Sequence, residues 1–160
     1  MKARLAASAA LALGLALGAS GCSMLTYQAT TEHYDASDGV SLDVGDLDLR
    51  NVLVVSEDGE DGNLIMTVVN NGDDDVELGV QFGEGGGEVQ TIEIEAGSTV
   101  AFGVEAAESE EQLEPLLLEG IDTQPGALLT MYFQYGDAEG IDKQVPVLDA
   151  RLPEYADLAP

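Results

Sequence analysis

The sequence predicts an all-β domain, a sandwich or barrel of about seven to nine short strands, behind an N-terminal processing segment and a polar tether. Three observations lead there. From Asp46 onward, short runs rich in Val, Ile, Leu and aromatics alternate with clusters of Gly, Asp and Asn. Runs of that length bounded by turn residues read as strands. The N-terminus carries Lys2 and Arg4, then an uncharged stretch Leu5–Gly18, then Ala19-Ser20-Gly21-Cys22. Between the two, Ser23 to Gly39 is polar, with little apolar periodicity.

Each element follows from local chemistry. Val40–Val44 is a short first strand. Leu47–Ser56 is a longer run, bounded by Glu57-Asp58-Gly59-Glu60-Asp61-Gly62. Leu64–Asn70 follows and closes at Asn71-Gly72-Asp73-Asp74-Asp75; Val76–Phe82 then ends at Gly83-Glu84-Gly85-Gly86-Gly87. Glu88–Glu95 sets Val89, Thr91, Glu93 and Glu95 on one face against Gln90, Ile92, Ile94 and Ala96 on the other. Ala96-Gly97 turns the chain into Ser98–Val104. Across Glu105–Glu114, Ser109 followed by Glu110, Glu111 and Gln112 offers an N-cap and an acidic first turn, which predicts a helical turn stopped by Pro115. Leu116–Leu118 is read as a strand. Pro125-Gly126 turns into Leu128–Tyr135, and Gly136–Gly140 connects to Lys143–Leu148. The tail, 149–160, is expected to be extended, with Leu152, Tyr155 and Leu158 docking on the domain. Alternate residues of facing sheets make the core, here Val52, Val54, Met66, Val68, Val80, Phe82, Ile92, Ile94, Phe102, Met131 and Phe133.

The N-terminal order is that of a bacterial secretion signal ending in a lipobox. A spanning helix needs roughly 20 apolar residues, and Leu5–Gly18 is shorter and runs into small side chains. Ala19 stands where leucine is more usual. The alternatives are a plain secretory signal and an uncleaved anchor helix. The domain plan is therefore signal peptide 1–21, lipidated Cys22 with a tether to 39, β-sandwich 40–148 and tail 149–160. Cys22 is the only cysteine, so its acylation leaves no thiol for a disulfide, a zinc site or a nucleophile. Two or more acyl chains hold a protein stably on a membrane. The expected location is the extracytoplasmic face of the cell membrane.

Removing residues 1–21 takes away Lys2 and Arg4 and no acid, so the net charge moves from −26 to −28. Arg50, Lys143 and Arg151 are then the remaining bases. Nucleic acid is excluded as a partner, because binding it requires Lys and Arg to displace counterions. Anionic headgroups repel the domain as well. The acids read as a strongly hydrated surface, with a calcium site or a cationic partner as the alternative.

The motifs that resemble chemistry read mostly as structure. Gly85-Gly86-Gly87 lies between two strands and beside glutamates, whereas a phosphate loop opens a helix and usually carries a Lys. Asp73-Asp74-Asp75 and Asp58–Asn63 resemble calcium-ligand runs, but an EF-hand's closing Glu falls at Val69. They read as solvated turns, with weak divalent binding as the alternative. His33 is the single histidine and lies in the tether, which disfavours a zinc site or a Ser-His-Asp triad. Glycoside hydrolysis wants carboxylates beside aromatic platforms, and the chain has no Trp. Met66 and Met131 read as core filler.

Five short patterns point further. Asp38-Gly39-Val40 follows a Tyr-containing leader, and Leu49-Arg50-Asn51-Val52-Leu53-Val54-Val55 precedes an Asp/Gly turn. A strand ends at Val69-Asn70-Asn71-Gly72, Pro125-Gly126 precedes an aromatic strand, and Val145-Pro146-Val147 stands near a Tyr-containing tail. With the lipobox, this pattern resembles the small actinobacterial lipoproteins of the LpqE type over most of Cys22–Leu158. Those in turn look like distant relatives of the periplasmic copper chaperones. The resemblance implies an immunoglobulin-like or cupredoxin-like sandwich. The chaperones bind copper through a His-Met pair and a Met-x-x-His-x-x-Met run. Here Tyr34 follows His33, Phe133 and Gln134 follow Met131, and Val69 stands where Met66 would need a His. No metal ligand carries over, and no cofactor is expected. The expectation is a non-enzymatic, lipid-anchored binding or accessory module that touches an envelope protein or glycan and takes no small-molecule substrate. The alternative is copper or calcium handling through His33, Met24 or the acidic loops.

Overall fold

The structure, a computed structural model, describes residues 2–19, 34–83, 89–105, 107 and 110–160, with side chains of the first segment described to Gly14. Two compact units divide the chain, Met1–Tyr34 and Asp35–Pro160. In the first, α1 spans Lys2–Ala19. An 18-residue helix rises about 27 Å, short of a bilayer's roughly 30 Å core. Among the described residues no helix is long and apolar enough to cross a membrane.

The second unit is all β. Its strands are β1 (Val40–Val44), β2 (Leu47–Val55), β3 (Gly62–Asn70), β4 (Val76–Phe82) and β5 (Gln90–Ile94), then β6 (Thr99–Phe102), β7 (Glu111–Leu113), β8 (Leu116–Leu118), β9 (Leu128–Tyr135) and β10 (Ile141–Leu148). The antiparallel β2–β3 pair is the spine, and each of its edges is shared by two strands. β1 covers the first part of β2, while the last two residues of β10 run parallel to Val54 and Val55. On the other side, β6 covers Met66–Val69 and β8 covers Gly62–Leu64. β7 adds to β6 in parallel. Before reaching β2, β10 pairs with β9, which leads on to β4 and β5. The result is one curled sheet ordered β5-β4-β9-β10-β2-β3-β6-β7, its halves facing across a common core. The all-β sandwich expected from the turn spacing is the observed architecture.

One residue sets how β2 meets that core. Leu47 and Leu49 face inward, and strict alternation would next bury Asn51. Instead Asn51 adopts φ +51°, and the β2–β3 register shifts between Arg50 and Leu53. Asparagine tolerates this left-handed conformation better than most residues. The bulge moves the inward phase by one, so Val52 and Val54 enter the main core. The Asn51 carboxamide oxygen accepts the Gly39 N–H at 3.0 Å and ties the chain leading into β1 to the bulge.

After the bulge, Leu53 and Val55 face the opposite side of the sheet. There they form a second cluster with Ile65 and Tyr155, flanked by Leu148, Ala150 and Leu158. The tail supplies that cover, and it is a series of turns where an extended chain is expected from sequence. Tyr155 N–H donates to Leu152 O and Leu158 N–H to Tyr155 O, each at 3.0 Å. These turns present Tyr155 and Leu158 to the sheet and leave Leu152 49% exposed, so Leu152 does not dock. Asn63 Nδ2 fastens the tail by donating to Leu158 O at 2.9 Å.

The core named from sequence is buried except Phe82 and Ile92, which are half-buried and pack against it. Leu47, Leu49, Leu64, Leu78, Val145 and Val147 belong to it as well. The expected helical turn before Pro115 is replaced by β7. Glu110 does accept the Ala107 N–H at 2.9 Å, as a capping carboxylate would. The open edge of β6 then takes the next residues into a parallel ladder, and Gly103 N–H donates to Leu113 O at 3.0 Å. Tertiary pairing overrides a local preference that is weak by nature.

Candidate functional site

Cys22, Met24, His33 and Gly85-Gly86-Gly87 lie outside the described residues. The acidic turns lie within them, and their geometry is that of built turns. Ser56 is buried and organises the first: its Oγ donates to Asp61 O at 2.5 Å and accepts the Gly59 N–H at 2.9 Å. The Asp58 carboxylate accepts the Glu60 N–H (2.9 Å), and that of Asp61 accepts the Gly120 N–H (2.8 Å) across the loop. Ile121 N–H and Thr123 N–H donate to Glu60 O and Gly59 O, so segments 57–62 and 119–124 form one laced pair of loops. In the second turn Asp75 accepts the Ala96 N–H at 2.8 Å. These carboxylates point at separate amides. Among the described residues, no three His, Cys, Asp or Glu side chains come together as metal ligands.

Asn70 is the polar residue on which the second turn depends, and sequence reading placed it only at a strand end. It is 1% exposed. Its amide group donates to Asp74 O, Ile94 O and Glu95 O at 3.0, 3.2 and 3.1 Å, and its oxygen accepts the Gly72 N–H at 2.9 Å. Its role is structural. Met66 and Met131 are fully buried in the main core, where their thioethers fill space.

Two tyrosines carry perturbed phenols. Burial pushes the Tyr155 hydroxyl up to about 12, helped by the Asp38 carboxylate that accepts its proton at 2.7 Å. Burial and then the Asp46 carboxylate raise Tyr135, whose hydroxyl donates to Asp46 at 3.3 Å. Both phenols are neutral at physiological pH; Tyr135 latches the β1–β2 turn to β9, and Tyr155 latches the tail to the segment before β1. Arg50 is held by Asp43 (2.6 Å) and Asp48 (3.0 Å), and Arg151 by Asp149 (3.2 Å).

The feature with the capacity to hold something is a groove of about 1150 Å³. Phe82 and Gly83 at the end of β4, Val89 and Gln90 at the start of β5, and Leu128–Thr130 at the start of β9 form one wall. Leu117 of β8 and the loop Glu119–Thr123 form the other. Val89, Leu117 and Leu128 remain 45%, 44% and 59% exposed, although leucine and valine are commonly buried. Glu119 and Asp122 bring carboxylates to the rim, and among the described residues no His or Cys lines it. From sequence, Leu117 and Leu128 are indistinguishable from the core residues beside them. Only the closure of the sheet decides which leucine is left outside.

Comparison of the chain with protein-family models returns no match, and comparison with curated proteins returns none.

Proposed function

We propose that this chain is a lipid-anchored, non-enzymatic binding module on the extracytoplasmic face of a cell membrane. The observation that carries the binding reading is the groove, where Val89, Leu117 and Leu128 keep apolar surface in water beside Phe82. Clustered exposed apolar side chains with a polar rim are the signature of an interaction surface. The anchor reading is supported by Lys2 and Arg4, the uncharged stretch to Gly18 and the small residues before Cys22. The resemblance to LpqE-type lipoproteins agrees with that placement. A net charge of −28 after removal of residues 1–21 keeps the domain hydrated and clear of anionic headgroups, so the acyl chains supply the attachment. The proposed partner is an envelope protein or glycan.

A photo-crosslinking residue placed at Leu128 in living cells tests this, with the same residue at Leu152 on the tail as control. A discrete adduct from 128 and none from 152 is expected. No adduct from 128, or equal adducts from both sites, overturns the reading.

A further inference from the structure

The groove lies where the curled sheet fails to close. Among the described residues, β5 ends the strand order on one side with no strand on its outer edge, while β8 pairs with β3 alone. The two edges meet through a side chain: Gln90 Nε2 donates to Leu117 O at 2.9 Å. The Leu117 carbonyl therefore points into the seam as an acceptor, and a glutamine amide occupies it where a neighbouring strand would donate. Exposed strand edges take up extended chains by adding a strand. A strand's side chains alternate between faces, so an entering segment presents apolar groups to Leu117, Leu128 and Val89 and directs the others to the rim. The rim carries Glu119 and Asp122 on a protein whose net charge is −28 without residues 1–21.

We propose that the seam between β5 and β8 binds an extended segment of a partner protein in which apolar residues alternate with lysine or arginine, added as a strand that displaces the Gln90 side chain. Charge selects this occupant. A second processed copy would bring another −28, and nucleic acid or anionic lipid would be repelled in the same way. The proposal rests on the binding-module reading and names its partner's chemistry.

The test uses the full lipidated chain in a non-ionic detergent and a short fluorescent peptide alternating lysine with leucine and phenylalanine. Comparison peptides replace the apolar residues by serine or the lysines by glutamate. Anisotropy should show saturable binding of the first peptide alone. Leu117→Ser and Leu128→Ser alter exposed side chains, so they leave folding intact by circular dichroism and should each weaken binding about ten-fold. Glu119→Gln combined with Asp122→Asn should weaken binding and flatten its salt dependence. Gln90→Ala should tighten binding roughly two- to ten-fold, because the incoming strand no longer competes with a side-chain hydrogen bond. Leu152→Ser and Asp73→Asn, both away from the groove, should change nothing. Three results overturn the proposal: no binding of the alternating peptide, equal binding of the serine version, or equal weakening by Asp73→Asn. If a crosslinked adduct from position 128 persists in cells while the peptide fails to bind, the peptide chemistry is wrong and the binding-module reading stands. Absence of both overturns both.

Discussion

Replacing Tyr155 by alanine removes the ring that closes the second apolar cluster against Leu53, Val55 and Ile65. The ring is 9% exposed, so its loss uncovers a face of β2 and β3 that is otherwise dry. Truncating a buried aromatic costs about 3–5 kcal/mol, and the low end, about 3, applies here because the turns of the tail can settle inward. Tyr155→Phe keeps the ring and loses only the hydrogen bond to Asp38. That bond joins a buried phenol to an exposed carboxylate, which puts its contribution near 1 kcal/mol. The two variants also differ in pH dependence. The folded chain holds the phenol proton more tightly than the unfolded chain, at about 12 against an ordinary value of 10.0. Stability that depends on the protonated phenol is thus complete below pH 10 and is lost as pH rises through about 12. Urea unfolding followed by far-ultraviolet circular dichroism measures both effects without a tryptophan. Wild type should exceed Tyr155→Phe in stability at pH 7, and that margin should shrink as pH rises above 10. An alanine variant within 0.5 kcal/mol of wild type, or identical alkaline profiles for wild type and phenylalanine, would refute the claim that the tail is part of the folded unit.

Asn70→Ala leaves the Gly72 N–H and the carbonyls of Asp74, Ile94 and Glu95 without their partner, so unfolding should become easier by about 2–4 kcal/mol. A loss below 0.5 kcal/mol in the same urea titration would count against Asn70 as the fastening of that turn. Gly45 and Gly97 both have positive φ, but a Cβ at Gly45 would stand 2.5 Å from the Tyr135 ring and one at Gly97 would meet open space. Gly97→Ala should cost about 1 kcal/mol from backbone strain and Gly45→Ala at least about 3, because overpacking adds to the strain. Equal costs for the two would contradict the packing of Tyr135 on the β1–β2 turn.

The strand plan was legible because Gly, Asp and Asn punctuate it. The loops after Ser56 and Asn70 fall where those clusters stand, and β4 ends at Phe82, where a third begins. The bulge was not legible, since Arg50-Asn51 inside an apolar run looks like ordinary outward-facing residues until the ladder shows Asn51 out of step. The second cluster does leave a trace in the sequence: four apolar residues in a row, Val52–Val55, mean a strand buried on both faces. β7 was hidden because its residues Glu111-Gln112-Leu113 are all exposed and carry no alternation, so only the free edge of β6 explains them. The groove was hidden for another reason. Leu116 packs on the core and Leu117 faces water, a distinction made by which strands lie next to β8 and not by the residues themselves.

The central claim is that Cys22 anchors this sandwich to a membrane so that its groove meets a partner there. The most direct measurement is the intact mass of the protein extracted from the membrane fraction of its native host, with fragmentation of the N-terminal peptide. The account predicts a chain that begins at Cys22, lacks residues 1–21 and carries two or three acyl chains on that cysteine. A chain that retains residues 1–21, or that begins elsewhere with an unmodified Cys22, would contradict it.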